Sequence, residues 1–287
     1  LAKIPGVQAM DIGAGSSKPM IRGLGFNRIA VVENSIKQEG QQWGADHGLE
    51  IDAFNIEGVE IVKGPSSLRY GSDALGGVVE ILPPEMPAAD QFFGAVTLLG
   101  KTVNGTFGGS LAAGLKRRGL CLRLRWSEQH FGDYRIPADT VVYLSQKMPV
   151  DGRLKNTAGY ERDVSLSASL RTSRYRGEIA ASNVHRKEGF FPGAHGVPDL
   201  RRLEDDGDRR NAELPYSRVN HLKISTHQQY ALDGVTLCGD FGYQLNHREE
   251  WRLFHTHYDS QPLPERNPDK ELAFRLHTFS AAFRLRI

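Results

Sequence analysis

From residue 91 to the C-terminus the chain repeatedly alternates apolar and polar side chains, and this period of two restricts its fold more than any other feature. Leu120, Leu122, Leu124 and Trp126 alternate with Cys121, Arg123, Arg125 and Ser127. Val164, Leu166, Ala168 and Leu170 alternate with Ser165, Ser167, Ser169 and Arg171. Val235, Leu237, Phe241, Tyr243 and Leu245 do so against Thr236, Cys238, Asp240, Gln244 and Asn246. Successive side chains of an extended strand point to opposite faces, so each segment has one apolar and one polar face. Weaker versions occupy Gln91 to Gly100, Thr106 to Lys116, Arg174 to Arg186, Pro215 to Tyr230 and Lys270 to Ile287, giving roughly eight strands. In the last of these the phase slips near His277-Thr278, which predicts a bulge.

The connections alternate short and long. Arg117-Arg118-Gly119, Thr172-Ser173 and Ala231 to Gly234 are tight turns, whereas His130 to Gly159, Lys187 to Leu214 and Arg248 to Asp269 are long and polar. Only the first hairpin, closed near Lys101 to Gly105, has a short connection at the long-loop end. A soluble β-sandwich also alternates, but it has no reason to gather its long connections at one end, as an outer-membrane barrel does. No apolar run approaches the roughly 20 residues of a membrane-spanning helix, but a spanning β-strand needs only about 9 to 11. The mean hydropathy of −0.42 suits a barrel with a polar lumen and loops. A net charge of +2, with acidic and basic residues interspersed, offers no electrostatic footprint for nucleic acid. Cys121 and Cys238 are far apart in sequence, and spacing alone supports two separate thiols better than a disulfide.

The N-terminal part reads differently. Val59 to Ile81 joins two apolar strand-like runs through Gly64-Pro65-Ser66-Ser67 and Gly76-Gly77. Val59, Ile61, Val78, Val79 and Ile81 favour extended structure, Gly64-Pro65 breaks the first run, Ser66 or Ser67 can cap a short helical turn, and Gly71 suits its end. Gly76-Gly77 permits a close backbone approach, so the second strand can begin at once. Upstream, Ile21-Arg22-Gly23-Leu24-Gly25 precedes Asn27-Arg28-Ile29-Ala30-Val31-Val32-Glu33-Asn34. Neither glycine cluster completes a dinucleotide fingerprint or a phosphate-cradling loop. These two segments, in this order, resemble the plug domain of a TonB-dependent outer-membrane receptor. That likeness is carried by motifs over residues 1–85 and by strand pattern alone beyond the break at Pro83-Pro84-Glu85-Met86-Pro87.

The resemblance implies a mainly β protein: an α+β plug domain at 1–85, then the N-terminal portion of an antiparallel transmembrane β-barrel at 86–287. Receptors of this family close about 22 strands around the plug, so eight strands imply a fragment. Leu1 to Val7 resembles the interior of a plug, which implies a signal peptide and a coupling segment ahead of it. The implied function is active uptake of a scarce metal as ion or chelate (ferric siderophore, haem or zinc) in the outer membrane of a Gram-negative bacterium. The implied partners are outer-membrane lipid, the cargo and the TonB–ExbB–ExbD energy-coupling complex, with no resident cofactor.

The ligand side is expected at the plug apex and outer loops. Lys37 to Leu49 supplies Gln41, Trp43, Asp46 and His47; a carboxylate beside a neutral imidazole suits zinc, and the alternative is that His47 simply hydrogen-bonds within the plug or to the barrel wall. His255 and His257, two apart, would face one side of an extended segment, and together with Asp46 and His47 they are the candidate metal ligands. His257 or Tyr258 could ligate haem. Phe191, His195, Arg201, Arg202 and Trp251 are loop candidates for an aromatic and cationic siderophore site, and His185 and His247 lie near the upper strand ends. Arg22, Arg28, Glu57 and Glu60 are expected at plug–barrel contacts, and Arg123, Arg125, Arg171, Arg174 and Asp240 on the lumen wall.

Two other classes remain. No serine, cysteine or histidine arrangement matches a hydrolase elbow or a protease zinc helix, so an enzyme is not expected. An outer-membrane binding protein without transport, such as an adhesin or a glycan-capture receptor, would share the barrel pattern.

Overall fold

The computed structural model describes residues 4–11, 17–40, 48–64, 67, 70–143, 145–191, 206–254 and 266–287. The N-terminal part holds β1 (Val7–Asp11) and β2 (Ser17–Ile21), an antiparallel pair, followed by β3 (Ile29–Glu33), β4 (Ile36–Lys37), β5 (Gly58–Val62) and β6 (Gly77–Leu82). The last four form one sheet in the order β4-β3-β6-β5. β3 and β6 run parallel at its centre, which explains the apolar runs Ile29 to Val32 and Val78-Val79: both faces of each strand are covered there. Val7, Ile21, Ile29, Val31, Ile51, Val79 and Ile81 fill one side; Ala30, Val32, Ala74 and Val78 pack on the other. Helical structure among the described residues here is limited to short 3-10 turns, such as Ala53–Asn55.

The double glycine is required by close approach. A side chain at Gly76 would meet the Arg28 carbonyl oxygen and Leu24 Cβ, each at 2.9 Å. One at Gly77, where φ is 135°, would meet the Val62 carbonyl oxygen at 2.9 Å. Gly71, with φ 92°, directly precedes the short turn at Ser72–Ala74.

The rest of the chain builds one antiparallel sheet of eight strands. They are β7 (Gln91–Lys101), β8 (Thr106–Arg117), β9 (Leu120–Phe131), β14 (Gly159–Arg171), β15 (Tyr175–Gly189), β16 (Tyr216–Leu232), β17 (Val235–Trp251) and β18 (Lys270–Arg286). Between β9 and β14 the expected long polar loop contains two nested antiparallel pairs, β10 (Tyr134–Arg135) with β13 (Arg153–Leu154) and, between them in sequence, β11 (Thr140–Tyr143) with β12 (Gln146–Pro149). The turn at Arg118-Gly119 has φ of 49° and 83°, the positive pair that a tight hairpin needs.

One face of this sheet is apolar and exposed, with Leu122, Leu124, Trp126, Val164, Leu166, Ile179, Ile224, Phe241, Phe279 and Phe283 all open. The other face carries the N-terminal part. β16, β17 and β18 have 17 residues each, roughly 55 Å at the rise of a strand, more than a bilayer requires. That length corrects the expected bulge at His277-Thr278. The register of β18 with β17 is unbroken from Arg286 to Leu272, and the shift occurs at Glu250/Trp251. Phe279, Ala281, Phe283 and Leu285 alternate outward; above them Arg275 and His277 take the outward positions while Leu276 and Phe274 turn inward. The hydropathy changes phase because the strand leaves the apolar zone, not because the backbone slips.

Candidate functional site

The inner face of the sheet is polar because it receives the N-terminal part, and the two are joined at a buried charged cluster. Glu50 lies on the segment that follows β4 and is 2% exposed. Its carboxylate accepts from Arg248 Nη2 at 2.5 Å, from the Asn246 amide, and from His221 Nδ1 at 2.6 Å. His221 is 0% and Arg248 2% exposed. Alternate residues of β16 and β17 share a face, so His221, Lys223, Gln244, Asn246 and Arg248 all point the same way. Burial pushes a carboxyl group's pKa up, but the His221 hydrogen bond and the charges of Arg248, His221 and Arg186 outweigh it and hold Glu50 at about 2.

Around this centre the wall grips backbone. Lys223 Nζ donates to the Glu50 carbonyl at 2.9 Å and pairs with Glu33. The Gln244 amide donates to the Lys37 carbonyl at 2.8 Å and accepts from the Glu39 amide at 3.1 Å, so it acts as a short piece of neighbouring strand. Arg186 reaches the Leu49 carbonyl at 3.2 Å. Ile36 lies against Gly242, where a Cβ would come within 2.8 Å of it. A second contact lies further along the sheet: Ser127 donates to Asp52 at 2.7 Å. Burial, reinforced by the nearby Glu161 charge, raises the Asp52 pKa. Arg123 and Lys116 then clamp the exit of the chain through the carbonyls of Pro84, Glu85, Pro87 and Ala88. A cleft of about 190 Å³ remains between the two parts, lined by Asn34, Glu80, Leu82, Glu178, Ser225 and His227.

The sequence profile described as "TonB-dependent Receptor Plug Domain" matches residues 1–78. A Vitamin B12 transporter of Photobacterium profundum is 30% identical over 122 residues, 42% of this chain and 20% of that protein. A heme/hemopexin utilization protein C of Haemophilus influenzae is 38% identical over 88 residues, 29% of this chain and 12% of that protein. Among solved structures, the ferric enterobactin receptor of Pseudomonas aeruginosa superposes with a TM-score of 0.69 at 14% identity, over 97% of this chain and 42% of that one.

Residues 1–78 are a TonB-dependent receptor plug domain. The chain spans less than half the length of the receptors it matches, and its eight-stranded sheet has the fold of part of their barrel wall. The apolar face is the lipid face and the polar face lines the lumen, where the plug sits.

In this frame the sequence-predicted residues divide sharply. Gln41, Trp43, Asp46, His47, His195, Arg201, Arg202, His255, His257 and Tyr258 lie outside the described residues. Phe191 lies two residues beyond β15 on the long-loop side, half-buried. Trp251 is corrected: it stacks on Tyr216 at 5.9 Å on the outward face, because it continues the outward row of β17 across the shift, and does not face the lumen. His185 and His247 likewise take outward positions.

The side chains of Arg22, Arg28, Glu57 and Glu60 are exposed and form no bond to the wall among the described residues. Arg28 instead serves through its carbonyl, which accepts from Gly76 at 2.7 Å. Arg125 bonds Ser110 and Asp240 pairs with Arg284 and His227 on the wall, as expected, whereas Arg174 sits at a turn, 3.9 Å from Asp233. Cys121 and Cys238 are both free, four strands apart in the sheet order. The cluster of Glu50, His221, Asn246 and Arg248 was not anticipated. Its only sequence signal is the set of polar residues at alternate, inward positions of β16 and β17.

Proposed function

We propose that the full-length protein is an energy-coupled outer-membrane receptor that imports a scarce metal as ion or chelate, as a ferric siderophore, haem or zinc. The observation that carries this is the chemistry of the plug–wall interface. Among the described residues it is closed by charged and hydrogen-bonded pairs centred on Glu50, and Ile36 adds an apolar contact at Gly242. Water can replace such bonds when the plug shifts, whereas an apolar interface of similar size would resist wetting. A plug held this way is a removable stopper, which suits traction by the TonB–ExbB–ExbD complex from the periplasm.

The relatives support the cargo class. Their names specify vitamin B12, haem, ferric enterobactin, ferric citrate and copper, which are all metals, free or carried in a chelate. In this reading residues 1–85 are the plug and 86–287 the start of the barrel. Cargo meets Gln41, Trp43, Asp46 and His47 at the apex, and Phe191, His195, Arg201, His255, His257 and Tyr258 on the outer loops. Glu39 and Leu49, on either side of the segment 41–47 in sequence, both bond to the wall beside the Glu50 cluster.

The test is growth and uptake by cells carrying the full-length receptor as their sole route for each cargo, with and without an intact TonB. TonB-dependent uptake of zinc, haem or a ferric siderophore, reduced by His47→Ala for zinc, is expected. Binding without TonB-dependent uptake of any of them would replace transport with a capture or adhesion role.

A further inference from the structure

Above the lipid face, the same alternation assembles a basic array that the lumen does not use. Across β14, β15 and β16 the register sets Arg162, His185 and Asn220 side by side, and one row further from the short turns it sets Tyr160, Lys187 and Arg218. All six point outward. Beneath them come the rows Val164, Asn183, Leu222 and then Leu166, Ala181, Ile224. At a strand's rise, the two upper rows lie roughly 13 to 20 Å beyond Leu166, where an apolar zone gives way to headgroups.

Lys187 and Arg218 are direct cross-strand partners, an arrangement in which like charges repel. Neither forms an ion pair within 4 Å among the described residues, and the one carboxylate whose charge acts on Lys187 from further off is Glu213. Glu249, which the register sets opposite Arg218, is taken by Lys270 at 2.7 Å and the Trp251 indole at 3.2 Å. Glu128 is taken by Arg162 at 2.6 Å and His130 at 2.9 Å. The two cations instead flank one ring: Lys187 Nζ lies 4.3 Å and Arg218 Cζ 6.0 Å from the centroid of Tyr216. An anion placed over the pair would turn a mutual repulsion into two charge-assisted contacts.

We propose that Lys187 and Arg218 dock the phosphate of a phosphorylated lipid headgroup in the outer leaflet. The depth selects the occupant: the array faces away from the lumen and rises directly from apolar rows, so the molecule that meets it has acyl chains below and an anion above.

The full-length receptor in detergent would be incubated with diphosphorylated lipid A or its dephosphorylated counterpart, and retained lipid counted by native mass spectrometry. The double substitution Lys187→Gln/Arg218→Gln is expected to weaken retention of the phosphorylated lipid about thirty-fold, equivalent to about 2 kcal/mol, and to leave the dephosphorylated lipid unchanged. The charge-keeping exchange Lys187→Arg/Arg218→Lys should retain it. Equal retention of the two lipids by the unmodified receptor overturns the proposal, as does equal loss in the exchange and the neutral variant. Binding of inorganic phosphate without lipid overturns it too.

Discussion

Replacing Glu50 by Gln removes one charge and almost no volume from the centre of the plug–wall interface. Arg248, 2% exposed, then keeps its own charge with no anion against it, and breaking a buried pair from one side costs about 3 to 5 kcal/mol. The titration of Glu50 gives a similar size: lowering its pKa from 4.5 to about 2 corresponds to about 3 kcal/mol of native-state stabilisation. Because the folded pKa is depressed, that stabilisation is complete above about pH 4.5 and is lost as pH falls towards about 2. Hydrogen exchange on the full-length receptor, followed at the amides of β3 and β4, reads the opening of the plug edge that faces the wall. Glu50→Gln should raise those rates roughly a hundredfold at neutral pH, at about 1.4 kcal/mol per tenfold. Adding Arg248→Met should return most of the protection, since the double variant leaves no unpaired charge. Unchanged exchange in Glu50→Gln, or equal exposure in the double variant, would show that the cluster does not hold the plug.

Gly242→Val should loosen the same interface by about 1 to 3 kcal/mol, since a Cβ there would lie 2.8 Å from Ile36; Ile36→Ala should rescue it, read by thermal unfolding of the two variants. Gly77→Ala places a Cβ 2.9 Å from the Val62 carbonyl at a φ of 135°, and should expose the plug to limited trypsin digestion while the barrel stays resistant. Asp52 has a raised pKa, so its contribution is most favourable below 3.8 and is lost as pH rises through the higher folded value; Asp52→Asn should therefore stabilise the plug at neutral pH and flatten this dependence in a denaturant titration repeated across pH. Lys223→Met, which removes the partner of Glu33 and the donor to the Glu50 carbonyl, should speed exchange in β3 but leave the outer-face strands unaffected.

Much of the architecture follows from local rules, and the sequence by itself therefore determined it. Alternation between Leu120 and Ser127, or between Val164 and Arg171, needs nothing but the geometry of an extended chain to assign faces, and Arg118-Gly119 needs nothing but its backbone preference to make a turn. The buried run Ile29 to Val32 and the pair Gly76-Gly77 announce a covered central strand and a tight entry for the same reason. The Glu50 cluster is different in kind. Its acid and its partners His221, Asn246 and Arg248 are separated by 171, 196 and 198 residues, and no local pattern distinguishes Glu50 from the exposed Glu57 or Glu60. Only the seating of one sheet inside another decides which charges are desolvated. The outward turn of Trp251 and the phase change in β18 were settled the same way, by where each stretch of strand stands relative to lipid, lumen and water.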